Sequence, residues 1–284
     1  EMRLVTGVQT CALPISETRD LLLPRQDGFW KIGVSKKIEN GDAKDVLWSY
    51  PINSINPTKP INTNLNSKQI KYTKTEGSIA IKFLGSNYVS TDTVQDENNN
   101  DPEKKYSNDQ LKVLPMDNLL GESIKLKSIL GSEIEKSTMA GTFLNTPKNI
   151  QDKNLKKVDT NWCVTRRRGR WVLKGRTETK INIKHSIIDF DIPYASPKSL
   201  TIYDNLFPSF NVIKTKVPSA VDAYASPNRD FVVVLTTTEL MAFTIEGYNL
   251  GEKLLTLKFK AGEIPVMSHW ATGSYVDDWQ KKVK

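Results

Sequence analysis

Cysteine and histidine are nearly missing from this chain: it holds Cys11, Cys163, His185 and His269 and no others. A metal site needs several such ligands at close spacing, and none are so placed, so no metal is expected. Long apolar runs are missing as well. None approaches the ~18 residues that a membrane helix requires. There is no Gly-rich phosphate loop, no G-x-G-x-x-G turn, no G-x-S-x-G elbow and no H-E-x-x-H helix. Nucleotide binding, serine hydrolysis and zinc proteolysis therefore have no signature here, and no cofactor is expected. Arginine is sparse outside one patch, while Lys, Asn and Ile abound. An AT-rich genome accounts for that bias without any functional cause.

What is present bounds the class. Hydrophobic residues make up 38% and charged residues 25%, which favours a packed core over disorder. The length suits one large domain or two smaller ones. The net charge of +8 is concentrated: residues 151–184 hold eleven Lys/Arg against three Asp/Glu, so the rest is neutral overall. Any electrostatic function belongs to that segment.

The stretch Val5–Ile15, VTGVQTCALPI, resembles the one-frame translation of a sequencing-library adapter. Glu1–Leu4 fits the index region before it. Residues 1–16 are therefore read as an artefact and set aside from fold reasoning. They should be extended or poorly packed, with the native N-terminus lost. Cys163 then stands alone, unable to form an internal disulfide. Between Trp162 and Val164 it reads as a small buried hydrophobe.

Leu21–Val34 places two apolar runs around Arg25-Gln26-Asp27-Gly28. That is a hairpin signal, with Trp30, Ile32 and Val34 on one face. Residues 41–75 read as loops with short strands, anchored by Trp48 and Tyr50. Ser78–Val89 alternates as a strand, and 91–110 is polar enough to be a mobile loop. Leu111–Leu114 is a short strand. Ser132 begins a helix near 132–143, with Glu133 and Glu135 suiting its dipole. Residues 145–159 form a polar linker.

Trp162–Ile183 is the clearest β segment. Beyond a turn at Arg168-Gly169, Trp171, Leu173, Thr177, Ile181 and Ile183 alternate with Arg170, Lys174, Arg176, Glu178, Lys180 and Lys184. One apolar and one charged face describe a half-exposed antiparallel strand. Further strands are expected at 187–192, 200–203, 230–237, 240–246 and 254–259. A helical turn near Phe210–Val217 should stop at Pro218, and the terminal DWQKKVK should fray.

Two echoes run through the chain. RQDGFW at 25–30 matches RRRGRW at 166–171 in Arg, Gly and Trp, and YASP occurs at 194–197 and 224–227. The second YASP precedes a polar turn and two apolar strands, the order of a β-propeller blade. The fold class is mainly β and antiparallel, with propeller-like units and one or two short helices; α+β is the alternative. The regions are 17–110 and 111–284, which are compatible with one domain.

Candidate chemistry is thin. Asp96–Asp101 carries oxygen ligands at alternate positions, but Asp101 and Ser107 stand where a calcium loop needs Gly and Glu. Asp189 and Asp191 share a strand face, as an acid/base pair on a wall glycan would. Asp277-Asp278 reads as a turn or solvated face. Neither histidine has a nucleophile beside it in sequence. The basic hairpin stands above this background: Arg166, Arg167, Arg168, Arg170, Lys174 and Arg176, next to Trp162 and Trp171. Charge and aromatic faces together can hold anionic polymers, lipid headgroups or RNA. The tryptophans, on the apolar face, should pack inside.

The series RDLLLPRQDGFWKIGV, PMDNLLGESIKLKSILG, NWCVTRRRGRWVLKGR, SLTIYDNLFPSFNVIKTKVPSAVDAYASPNRDFVVVLT and SHWATGSYVDDW, spread over about residues 19–280, resembles lipoproteins of Firmicutes-type bacteria. The resemblance implies a cell-surface, lipid-anchored protein and brings no active site. The expectation is a non-enzymatic binding or scaffold module of the Gram-positive envelope. Its partner would be an anionic wall polymer or the membrane surface. A wall-glycan enzyme using Asp189 and Asp191, and a nucleic-acid binder using the Arg166–Arg176 hairpin, are the alternatives.

Overall fold

The structure, a computed structural model, describes residues 21–39, 42–52, 71–75, 78–94, 109–131, 158–181, 184–259 and 263–282. The expectations for 1–16, for a helix at 132–143 and for Asp96–Asp101 lie outside the described residues.

The described strands form four antiparallel sheets, each a meander in chain order. Sheet I comprises β1 (Leu21–Arg25), β2 (Gly28–Glu39), β3 (Asp42–Ile52) and β4 (Lys71–Thr75). Sheet II comprises β5 (Ser78–Leu84), β6 (Tyr88–Val94) and β7 (Gln110–Pro115). Sheet III comprises β8 (Trp162–Arg167), β9 (Arg170–Ile181) and β10 (Lys184–Ala195). Sheet IV comprises β11 (Asp222–Ala225), β12 (Phe231–Leu235), β13 (Glu239–Glu246) and β14 (Asn249–Lys258). The described helices are short: α1 (Leu126–Leu130), α2 (Phe210–Lys216) and α3 (Tyr275–Lys282). The protein is mainly β and antiparallel, as its alternation implies. Successive meanders are the strand order of propeller blades, and no barrel closes among the described strands.

The hairpins form where turn chemistry and alternation agree. β1 and β2 pair with Arg25 opposite Gly28, around Gln26-Asp27. Trp30, Ile32 and partly buried Val34 enter one core. β8 and β9 pair around Arg168-Gly169, with Arg167 opposite Arg170. α2 starts at Ser209, whose hydroxyl accepts from the Val212 amide, and Lys214 and Lys216 lie in its last turn, where its dipole favours cations.

Several expectations need correction. β3 is eleven residues long, within a region read as loops with short strands. Its Trp48 and Tyr50 anchor it as expected, stacked at 5.6 Å. Thr91–Val94 continues β6 instead of opening a loop, because it pairs with both β5 and β7. The boundary at 110/111 falls inside β7, which pairs with β6. Residues 200–203 form a turn, not a strand, and β11 went unread. Most of the charged terminus is helical in α3, where Trp279 meets Phe29 edge-on at 5.7 Å.

The cores cross the sheets. One joins sheets I and II through Leu23, Trp30, Ile32, Leu47, Ile81 and Leu114. A second joins sheets II, III and IV through Phe83, Trp162, Trp171, Leu173, Tyr224 and Val233. A third lies between α2 and sheet IV, around Ile213, Val232 and Phe243. Polar stitches follow the same seams. Asp45 accepts from the Ile79 amide at 2.9 Å, and the Ser90 hydroxyl accepts from the Val164 amide at 3.0 Å. Sheet III is fixed to sheet II by the Ser90 bond and to sheet IV by their shared core, which holds its basic hairpin in place.

Candidate anionic-ligand interface

The β8–β9 hairpin ends in a two-residue turn with positive φ at both positions, 46° at Arg168 and 87° at Gly169. This geometry matches the right-handed twist of the strands. Glycine is required at the second position twice over. Its φ is left-handed, and a Cβ would overlap the Leu206 side chain. Arginine at the first position is unusual, since L side chains crowd the backbone there.

The six basic residues divide into distinct environments. Arg166 turns inward. Its Nε donates to Asp222 at 3.0 Å, Nη1 to Asp204 at 2.6 Å and Nη2 to the Ala223 carbonyl at 2.5 Å. Its guanidinium lies 4.0 Å from the Tyr224 ring centroid and 5.1 Å from that of Trp171. Asp222 also accepts from the Gly169 amide, and Asp204 from the Trp171 amide at 2.7 Å. The two carboxylates thus clamp both an arginine and the backbone of the turn. Burial lifts both above the usual carboxylate range, with Arg166 opposing the rise.

Arg176 is buried too, at 7% exposure, so the charged face of β9 is not the open solvent face that alternation implied. Its Nε and Nη2 donate to Asp189 at 2.7 and 3.1 Å, and Nη1 to Asp92 at 2.7 Å. These partners hold it firmly protonated against the opposing effect of burial. Arg167, near the surface, pairs with Asp191. Lys174 is partly buried, and Arg168 and Arg170 are exposed. Among the described residues neither Arg168 nor Arg170 has an ion-pair partner, whereas Arg167, also exposed, has Asp191. Both tryptophans pack inside as expected, and Trp162 donates from Nε1 to the Ile124 carbonyl at 2.7 Å.

Asp189 and Asp191 therefore each serve an arginine and do not stand together over an open cleft. Cys163 is buried, and burial, aided by Asp92, pushes its thiol up to about 12, far from thiolate reactivity. Burial lowers His269 to about 4, and its Nε2 lies 3.3 Å from the Leu84 carbonyl. The side chain of His185 lies outside the described residues. No group of three or more His, Cys, Asp or Glu fit for a metal occurs among the described residues. No described helix is long and apolar enough to cross a membrane.

A shallow recess beside Arg166, bounded by Gly169, Tyr203, Asn205, Tyr224 and Trp270, has room for about one water molecule. The Tyr224 hydroxyl is buried there without a hydrogen-bond partner. Sequence reading missed Asp204 and Asp222, the residues that order the turn. The YASP echo flagged the neighbourhood of Asp222, but nothing local marked either carboxylate as a partner of Arg166.

No protein-family model, curated protein or solved structure matches the chain.

Proposed function

We propose that this protein is a non-enzymatic binding module of the bacterial cell envelope that holds an anionic component through the β8–β9 hairpin. The observation that carries the reading is the presentation of Arg168 and Arg170. They are exposed and unpaired, on a turn whose backbone is clamped by Asp204 and Asp222. A cation on a fixed turn loses little conformational entropy on binding, which is the advantage of preorganisation. The resemblance in motif order to Firmicutes-type lipoproteins supports an extracytoplasmic, lipid-anchored location.

The test is binding of the full chain to an anionic wall polymer as salt is raised. Arg168→Asp with Arg170→Glu should weaken binding at least tenfold without lowering the melting temperature. Retained affinity in this variant would remove the hairpin from the interface. Preference for single-stranded RNA over wall polymer, with a steep salt slope, would turn the reading to nucleic acid.

A further inference from the structure

We infer that the hairpin is one corner of a wider face, built from turns of sheets III and IV, that lies flat on an anionic phospholipid bilayer. This rests on the basic-hairpin reading and names its partner. The first observation is backbone conformation. Among the described residues, three other than glycine have positive φ: Arg168 at 46°, Tyr203 at 56° and Arg229 at 58°. Strained backbone of this kind persists where the surroundings enforce it and gathers at functional surfaces. All three residues belong to one face.

The contacts between these turns are specific. Leu206 packs over Gly169, tying the 201–207 turn to the hairpin tip. Phe207 lies 4.9 Å beneath the Arg229 guanidinium, in the β11–β12 turn. The same ring meets Tyr248, in the β13–β14 turn, at 5.6 Å. Four turns are thus joined side by side.

Their exposed side chains are of two kinds. Arg168, Arg170 and Arg229 are exposed cations. Ile202, Tyr203 and Tyr248 are 61%, 53% and 77% exposed. Of the acids nearby, Asp204 and Asp222 are engaged with Arg166. Asp230, which accepts from the Ser226 hydroxyl, and Glu246 remain exposed.

This composition fits a headgroup layer. Arginine forks pair with phosphate oxygens in bidentate fashion. Tyrosine rings settle at the membrane–water boundary, apolar body inward and hydroxyl outward. Ile202 gains from entering the acyl boundary and would gain nothing from a soluble polyanion. The recess between the hairpin and the 201–207 turn has room for about one water molecule and offers a polymer chain no groove there.

The experiment is flotation of the full chain with phosphatidylcholine vesicles, with and without phosphatidylglycerol, beside binding to soluble inorganic polyphosphate. Binding should require phosphatidylglycerol. Arg229→Asn keeps a residue tolerant of positive φ and lies outside the hairpin. It should weaken vesicle binding about fivefold, and Arg229→Lys, which keeps the charge but not the fork, should restore it in part. The pair Ile202→Ser with Tyr248→Ser should weaken vesicle binding several-fold and leave polyphosphate binding unchanged. Thermal melts confirm that each variant is folded. Vesicle binding that ignores Arg229→Asn and the Ile202/Tyr248 pair, yet fails on charge reversal at Arg168 and Arg170, overturns the wider face and leaves the hairpin reading intact. Binding to polyphosphate but not to vesicles overturns the lipid partner alone. Binding to neither overturns both.

Discussion

Arg168 holds a conformation that its side chain disfavours, and the cost should be measurable. An L residue other than Asn, Asp or Gly gives up ~1 kcal/mol or more in the left-handed region, and a type I′ turn prefers Asn-Gly at its centre. Arg168→Asn should therefore stabilise the protein by ~1 kcal/mol while weakening the proposed binding to anionic surfaces. Urea denaturation beside a binding isotherm checks both halves. A variant that loses stability would mean that the Arg168 side chain makes contacts that outweigh the strain. His269 gives a different signature. Its folded value is about 4 against an ordinary 6.5, because burial disfavours the cation. Above pH 6.5 neither state holds the proton and the neutral ring contributes fully. As the pH falls from 6.5 towards 4, the unfolded chain takes up a proton that the folded chain refuses, and stability is lost across that window. His269→Gln should lose less stability over the same range. The comparison of urea midpoints at pH 7 and pH 4.5 isolates this from the carboxylates common to both proteins. Equal losses would show that the His269 ring is solvated.

At the scale of elements, arginine–aspartate pairs recur along the seams between consecutive sheets. Arg25 of β1 meets Asp117 after β7 at 3.0 Å, joining sheets I and II. Arg176 joins sheet III to Asp92 of sheet II, and Arg166 joins sheet III to Asp222 of sheet IV. The echo between RQDGFW and RRRGRW is structural in this sense. In each hairpin the first arginine lies over the tryptophan of its own motif, Arg25 at 4.5 Å from Trp30 and Arg166 at 5.1 Å from Trp171. Removing one partner of a buried pair strands the other, at a cost of ~3–5 kcal/mol. Asp222→Ala should fall in that range, since it also releases the Gly169 amide. Asp191→Ala, which breaks the exposed pair with Arg167, should cost under ~1 kcal/mol. Chemical denaturation of the two variants decides whether the seam clasp is as stiff as its geometry. The same elements mark how far sequence could be read. Both hairpins were legible because their turns and alternation are local. β9 showed which side chains share a face. It did not show that Asp92 covers Arg176, because that contact spans 84 positions. Long-range neutralisation leaves no local trace, so two of six candidate cations proved to be interior clasps. Arg229 and Tyr203 went unread for the same reason: Arg229 meets Phe207 of a distant turn, and Tyr203 borders the recess beside Arg166 of sheet III.

For the whole molecule the question is whether four meanders behave as one body. Each sheet alone is too small to cover both of its faces, and each lends side chains to a core shared with its neighbour. Phe83 of sheet II meets Trp171 of sheet III edge-on at 4.7 Å, and Trp171 in turn approaches Tyr224 of sheet IV at 6.4 Å. Sheet I is tied to this group through sheet II, whose Ile79, Ile81, Leu84, Val89 and Leu114 line the core shared with sheet I. Loss of one central aromatic should therefore be felt throughout the chain. Trp171→Ala removes a side chain that is 6% exposed, and a truncation of this size costs ~3–5 kcal/mol. If the cores act as a continuous unit, hydrogen exchange should speed up in β12–β13, which shares the core of Trp171, and also in β1–β2, which does not. Protection that persists in β1–β2 while β12–β13 opens would mean that the seam between sheets I and II is a weak joint and sheet I a separable unit. The outcome bears on function. A face assembled from turns of two sheets keeps its arginines in register only while sheets III and IV unfold as one, so the tighter the coupling across the Trp171–Tyr224 contact, the more fixed the spacing of Arg168, Arg170 and Arg229 that an anionic surface would meet.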